Sequence, residues 1–481
     1  MAQIQTTTGI GTAFQRMIDE GEVAVIEREV DSVHELAGIL MKLDGLPYTP
    51  AVLFQNVKGF SMPVGGTLFS ERPRVRRLLG MPDDPLEFKN AFIAAMENRV
   101  EPVVVSDGPC QEVVLTEDFD ALSVVPSIKA SLDDGGNYYQ AAVITKDPET
   151  GLQNMGVYRN MVLTDNRTVI NIRPEAHVGM HFRKAKERNE PFPVALIFGM
   201  DAEIYLSGVT KLPFGQDELA LAGAFKGEPI EVVKCKTIDL EVPASANIVL
   251  EGVVSPPYDE EWEGPWPEYL KYLSIPQRRP IFQITALTHC AQPMSYNIVP
   301  GTKENYNIRI SNDVAFYKYV KAIEPTFVLD AALTLGSAHW HHGIIQLRKD
   351  TPDREGQHIQ VALAAFGFSV YVETLTLVDE DVDIYDMDAI DWAVTTRCNP
   401  KEQVHILPEA RTHRNNPIAG VRSLIPGDSI VKSKMIIDAT IPWKYKTIEK
   451  EGVPPLFMRA RFQETPLEDY LTPEDLERWV G

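Results

Sequence analysis

A chain of 481 residues, 44% apolar and 24% charged, has the makeup of a globular protein and is too long for one compact core, so two or more domains are expected. Its formal net charge of -22 excludes the basic surface that a general nucleic-acid binder or an anionic-membrane binder needs. Cys110, Cys235, Cys290 and Cys398 are scattered with no CxxC pair, and the start Met1-Ala2-Gln3-Ile4 is polar. The longest apolar run, around Val361 to Val372, is shorter than the roughly 18 residues of a membrane span. Reduced thiols, no signal peptide and a cytoplasmic protein are therefore expected.

In chain order, residues 32–43 read as a first helix, with Ser32 as its cap and Val33, Leu36, Ile39 and Leu40 along one side. Ala51-Val52-Leu53-Phe54 is extended, and polar helices are expected near residues 74–79 and 85–97. From about Tyr138 to Leu287 strands dominate, among them Ala141-Ala142-Val143-Ile144, Thr168-Val169-Ile170-Asn171-Ile172 and Val194-Ala195-Leu196-Ile197-Phe198. Helices fall between them at 179–190 and 217–225. The texture changes near Pro300-Gly301-Thr302. Beyond it, helices and strands alternate through 312–323, 326–335, 343–347, 357–366, 374–378 and 387–397, a second α/β domain ending near Ala439. Thr472-Pro473-Glu474-Asp475 joins a cap, a first-turn proline and acids at the positive helix end. It predicts a terminal helix over 473–480 that docks through Leu476 and Trp479.

Chemistry concentrates in two short motifs, Asn154-Met155-Gly156-Val157-Tyr158-Arg159 and Glu263-Gly264-Pro265-Trp266-Pro267-Glu268. Together they offer a metal-capable amide oxygen, a guanidinium that can clamp a carboxylate, and two acids that can exchange a proton. Arg159 shares a strand face with Val157 and Met161, where it needs a partner: a structural ion pair or a substrate carboxylate. No helical face relates Glu263 and Glu268. Pro265 and Pro267 stiffen their loop, although Asp259, Glu260 and Glu261 are equally compatible with a solvated acidic run. His339-Trp340-His341-His342 has the look of a metal cluster, with His339 and His341 on one side of a strand. Without Cys or acid ligands at metal-site spacing, core or interface histidines are the expectation. His177 and His181 have HxxxH spacing, but Val178 stands where a zinc protease has Glu. Gly9-Ile10-Gly11 follows no strand, and the chain has no Walker A sequence and no G-x-S-x-G.

Taken in order, Asn154-x4-Arg159, Leu212-Pro213-Phe214-Gly215-Gln216-Asp217-Glu218 and Glu263 to Glu268 make the chain resemble the UbiD family of prenylated-FMN-dependent decarboxylases. Leu53-Phe54-Gln55-Asn56-Val57-Lys58-Gly59-Phe60, Ile248-Val249-Leu250-Glu251-Gly252, Asp381-Val382-Asp383-Ile384-Tyr385 and Thr395-Thr396-Arg397-Cys398-Asn399-Pro400 extend the likeness over nearly the whole chain. The resemblance implies a carboxy-lyase carrying out non-oxidative, reversible decarboxylation of an aromatic, heteroaromatic or α,β-unsaturated carboxylic acid. Loss of carbon dioxide from such a carbon leaves a carbanion with no electron sink. In the family the prenylated flavin takes up those electrons, while the protein supplies position, electrostatics and one proton.

The same resemblance assigns roles. Arg159, Glu263 and Glu268 form the catalytic set, with Glu268 as proton donor, Arg159 as orienter and Glu263 holding Arg159. Asn154, His177 and Glu218 hold a divalent ion, Mn2+ or Mg2+, often beside K+, which ties the flavin phosphate to the protein; His181 is the alternative to His177. The cofactor site comprises Asn154, Met155, Gly156, Val157, Tyr158 and Arg159 with Ala176, His177 and Glu218. Two departures stand out: Pro267 replaces a common glycine, with Tyr269-Leu270-Lys271-Tyr272 after it, and Pro174-Glu175-Ala176-His177 is one residue longer than in some relatives. The implied fold is α/β (α+β). It has a split-barrel-like flavin-binding domain with a mixed sheet over 1–300, a linker helix, an α/β oligomerisation domain over 301–440, and a tail over 441–481 packing back on a neighbouring domain. A homodimer or homohexamer is implied, with a flavin prenyltransferase as cofactor supplier and no nucleic-acid or membrane partner. The rivals are a conventional FMN-dependent oxidoreductase and a non-catalytic subunit of a carboxylase or decarboxylase complex. The complete set of Arg159, Glu263 and Glu268 argues against the second.

Overall fold

The computed structural model describes residues 6–448, 451, 456–460, 463 and 465–479. Apolar alternation through the middle of the chain builds strands β1 (Tyr138–Lys146), β2 (Gln153–Val162), β3 (Arg167–Ile170), β4 (Phe192–Phe198), β5 (Ile248–Val254), β6 (Glu260–Glu263) and β7 (Gln277–His289). Their order is β5-β4-β1-β2-β3-β7, all antiparallel, and β7 pairs back with β5 to close a barrel. Closure leaves these strands no free edge. The short β6 pairs with the start of β7.

Period two decides what each side chain meets. Tyr139, Ala141, Val143, Leu196 and Leu250 join one core with Val178 and Phe182 of helix α1 (His177–Arg188). Ala142, Ile144, Ala195, Ile197 and Val249 join a second with Leu219 and Leu221 of helix α2 (Glu218–Lys226) and with the helices Ile10–Asp19 and Pro85–Glu97.

The helix Ile10–Asp19 escapes the sequence reading, although Ile10, Phe14 and Met17 are all buried at helical spacing. It is entered through Gly9, at φ 55, where a Cβ would lie 2.1 Å from the Gly199 carbonyl oxygen, so only glycine fits. The next helix is Glu35–Asp44, and Ser32 does not cap it. Asp31 takes the local hydrogen bond instead, accepting from Val33 N at 2.9 Å, and Val33 bridges to Lys129. A small sheet of Val23–Ile26, Ala51–Phe54, Val64–Gly66 and Ser295–Tyr296 lies alongside this part of the chain.

The helix Ile310–Ile323 leads to the second sheet, β8 (Val328–Leu333), β9 (His342–Leu347), β10 (Thr374–Asp379), β11 (Val404–Arg411) and β12 (Val431–Asp438), in the order β8-β9-β10-β12-β11. Strands β9, β10 and β12 run parallel; β8 and β11 pair antiparallel at the edges. The two halves are fastened by Lys89, whose ammonium donates to Asp330 at 2.8 Å and to the Ala331 carbonyl at 2.7 Å. An α/β chain with a barrel first and a layered sheet second agrees with the expected class.

His339 and His341 do not share a strand face. Ala338 and His339 have φ 57 and 55, so the segment turns and β9 starts only at His342. The tail helix is Pro473–Trp479, and Thr472 Oγ1 accepts from Asp475 N at 3.2 Å. Val480 and the side chain of Trp479, on which the docking expectation rests, lie outside the described residues. No helix among the described residues is long and apolar enough to cross a membrane.

Candidate active site

Arg159 sits on β2 opposite Gln140 of β1, and Glu263 ends β6 opposite Gln277. Between β6 and β7 the chain doubles back as a tight hairpin. Glu268 N donates to the Tyr272 carbonyl at 2.8 Å, Ser274 N to that of Trp266 at 2.7 Å, and Lys271 turns the corner at φ 65. Strand geometry thus carries Glu263, and the hairpin carries Glu268, to one guanidinium. Arg159 Nε and Nη2 bind Glu263 Oε1 and Oε2 at 2.7 and 3.0 Å, while Nη1 binds Glu268 Oε1 at 2.7 Å. Burial alone would lower the Arg159 pKa; Glu268 and Glu263 outweigh it and hold it above the usual value, so the cation is fixed. The fork of the guanidinium is occupied by Glu263, so the internal ion pair, rather than a free clamp for substrate, is the arrangement seen.

Two helix starts converge nearer the beginning of the same strand, at Asn154, five residues before Arg159. His177 opens α1 after Ala176, and Glu218 opens α2 after Asp217, which caps it by accepting from Leu219 N at 2.7 Å. Both face Asn154, whose Nδ2 is 2.8 Å from Glu218 Oε1 and 3.3 Å from His177 Nδ1. Met155 N donates to Glu218 Oε2 at 2.8 Å. Burial pushes the Glu218 carboxyl up to about 8, and a cation is the kind of partner that would restore its charge. Turning the Asn154 amide by half a rotation presents its oxygen in place of Nδ2. The donors then become amide oxygen, imidazole nitrogen and carboxylate oxygen, a set suited to a hard divalent ion. Among the described residues no group of three His, Cys, Asp or Glu could hold a metal, and this set needs the amide as its third member. A cavity of about 340 Å3 lies against Asn154, His177, His181 and Phe214.

His181 is placed differently. It is buried, its Nδ1 is 3.1 Å from Thr145 Oγ1, and burial is the main cause that lowers its pKa to about 4. On the same strand as Asn154, a Cβ at Gly156 would lie 2.6 Å from the Tyr158 ring, so glycine lets that ring fold over. Val157 packs against the second core. Tyr158 has its pKa raised to about 12 by burial.

Two polar neighbours of the acids escape the sequence reading. Ser274 Oγ is 3.4 Å from Arg159 Nη2, and Asn415 Nδ2 donates to Glu268 Oε2 at 3.2 Å. Neither belongs to a motif, and 147 positions separate Asn415 from Glu268.

Residues 102–303 match the 3-octaprenyl-4-hydroxybenzoate carboxy-lyase Rift-related domain, 15–87 the N-terminal domain and 306–439 the C-terminal domain of the same carboxy-lyases. The phenolic acid decarboxylase of Bacillus subtilis is 30% identical over 442 residues, 88% of this chain and 90% of that protein. The chain belongs to the UbiD family. The anhydromevalonate phosphate decarboxylase of Methanothermobacter thermautotrophicus is 30% identical over 423 residues, 88% of this chain and 94% of that protein. The solved UbiD-class enzyme HmfF from Pelotomaculum thermopropionicum, in complex with FMN, superposes with a TM-score of 0.86 at 31% identity, over 96% of this chain and 100% of that one. Its evolved dimeric form, in complex with prFMN, gives 0.83 at 30%, over 97% and 100%. As a UbiD protein the chain is a carboxy-lyase.

Proposed function

We propose that this protein decarboxylates, reversibly and without net oxidation, an aromatic, heteroaromatic or α,β-unsaturated carboxylic acid, with prenylated FMN as cofactor. The observation that carries this reading is a single strand, β2, on which Arg159 is joined to both Glu263 and Glu268 and Asn154, five residues earlier, meets His177 and Glu218. We read the latter three as holders of Mn2+ or Mg2+, with K+ nearby. The N–H groups at the start of α1, which no side chain caps, suit the flavin phosphate. When bound, the flavin supplies the electron sink that the chain's own side chains lack.

The chain's residues supply the rest. With its fork taken by Glu263, Arg159 can offer the substrate carboxylate no bidentate clamp, only the second N–H of Nη1, which has no partner among the described residues. Glu268 gives its proton to the carbon that has lost carbon dioxide. The division of labour between the two acids follows from exposure. The Glu263 side chain is 2% exposed and spent on Arg159, whereas that of Glu268 is 22% exposed and can be reprotonated from water. In the reverse direction Glu268 takes the proton and carbon dioxide enters. A flavin prenyltransferase supplies the cofactor, and the protein works in the cytoplasm as a homodimer or homohexamer assembled through residues 301–440.

The test is to co-produce the protein with a flavin prenyltransferase, expose it to air, and record the absorbance and mass of its bound flavin before screening acids for carbon dioxide release. Prenylated FMN present only with that partner is the expected result. Plain FMN reducible by a nicotinamide would favour an oxidoreductase, and no flavin in folded, metal-loaded protein would overturn the reading.

A further inference from the structure

The hairpin that presents Glu268 is held from the other half of the chain at two consecutive residues. Asn415 donates to Glu268 Oε2 at 3.2 Å, and the Tyr269 hydroxyl lies 3.2 Å from His341 Nε2. Both partners lead to one buried carboxylate, Glu373, which directly precedes β10 and is 3% exposed. Asn416 Nδ2 donates to Glu373 Oε2 at 2.7 Å and Lys432 Nζ does so at 2.6 Å. The Thr412 hydroxyl donates to Oε1, and His341 Nδ1 lies 3.7 Å away. Glu373 therefore grips both ends of the turn 412–416 that carries Asn415, and touches the histidine that meets Tyr269. The turn has little freedom elsewhere. His413 stacks on Tyr371 at 4.4 Å, its Nδ1 accepts from Asn415 N at 3.2 Å, and a Cβ at Gly420 would meet the Arg414 carbonyl oxygen at 2.4 Å.

We propose that Asn415, set in place by Glu373, is a positioning residue for the proton donor Glu268, so that the second sheet aims the acid presented by the barrel. This rests on the reading of Glu268 as proton donor. Arg159 takes one oxygen of Glu268 and Asn415 the other, which leaves the carboxyl a single orientation. An amide suits the task in both protonation states: Nδ2 donates to the carboxylate, and the turned-over Oδ1 accepts from the carboxylic acid. Glu373 remains a carboxylate through this cycle. Burial raises its pKa, but His341, Lys432 and Thr412 outweigh burial and bring it down to about 2.

The test separates breaking the carbon–carbon bond from protonating the carbon. Exchange of labelled carbon dioxide into the acid needs only the first step; release of decarboxylated product needs both. In Asn415→Ala, product release is expected to fall about tenfold or more while label exchange holds, so that the ratio of exchange to product rises. Glu373→Gln is expected to do the same, and Asn415→Gln to restore part of the loss. A merely structural role would lower both rates together and leave the ratio unchanged, which would overturn the proposal. A second readout needs no cofactor: amide hydrogen exchange of cofactor-free Asn415→Ala should speed up at Glu268, Lys271 and Ser274 and not in β1 or β4. If wild-type protein loaded with prenylated FMN neither exchanges label nor releases product, the decarboxylase reading fails. The hydrogen-exchange pattern then still decides whether Asn415 holds the hairpin.

Discussion

The acid set behaves as one charged unit in which partners are not interchangeable. Glu263→Ala leaves the Arg159 guanidinium buried with only Glu268 against it, and should cost about 3–5 kcal/mol of stability, read from urea unfolding. Glu268→Gln should cost far less, because Arg159 keeps its bidentate partner, yet it should abolish turnover to decarboxylated product with flavin content unchanged. Equal destabilisation by both, or turnover in Glu268→Gln, would remove the distinction drawn between them. Glu373 gives a pH signature of its own. Its folded pKa, about 2, lies below the unfolded value of about 4.5, so its stabilising contribution is complete above 4.5 and is lost as pH falls towards 2. Acid unfolding of Glu373→Gln should accordingly be less steep across that window than that of the wild type. Residue types were the most legible part of the site. Arg159 in an apolar strand demanded a partner, and the sequence offered Glu263 and Glu268; which of the two readings of Arg159 holds depended on where a hairpin would place Glu268. Asn415 could not be read at all, because an amide in a polar run such as His413-Arg414-Asn415-Asn416 looks like any surface turn until the fold brings it to an acid.

At the scale of elements, strand β2 and the starts of α1 and α2 bring together Asn154, His177 and Glu218, the residues proposed to hold the metal. His177 and His181 are one turn apart on α1, but only His177 reaches Asn154; His181 is satisfied by Thr145. His177→Ala should therefore lose bound flavin, measured as flavin per protein after gel filtration, while His181→Ala retains more of it; the reverse order would make His181 the ligand. The helix α1 was expected to start two residues later than it does, which is the usual looseness of helix ends. Here the start matters, since it makes His177 the first residue of the helix, one turn before His181. Ser32 shows the opposite failure. It is a sound cap by type, but Asp31 next to it makes the stronger local bond and the bridge from Val33 to Lys129 pulls the segment away. The strands were legible because apolar pairing on both faces leaves few alternatives, whereas barrel closure through β5 and β7 depends on pairings that no local pattern announces.

For the molecule as a whole, the join between barrel and second sheet is polar where it matters. Lys89 is 1% exposed at its side chain and meets Asp330 at 8%, with the Tyr385 hydroxyl 2.6 Å from the same carboxylate. Lys89→Met removes the cation and strands Asp330 in the interface. A loss of about 3–5 kcal/mol is expected, with limited proteolysis now cutting between the two halves before either is degraded; a resistant, equally stable variant would show the fastening to lie elsewhere. The hydrogen bond from Asn415 to Glu268 also orders events during synthesis. At about 5–20 residues per second, the 147 positions between them take roughly 7–30 s to be added. Within that interval a nascent chain has Arg159, Glu263, Glu268 and the residues proposed to hold the flavin, but not the amide proposed to position Glu268. On the proposed assignments, every residue given to flavin and metal is thus synthesised before the amide that would aim the acid.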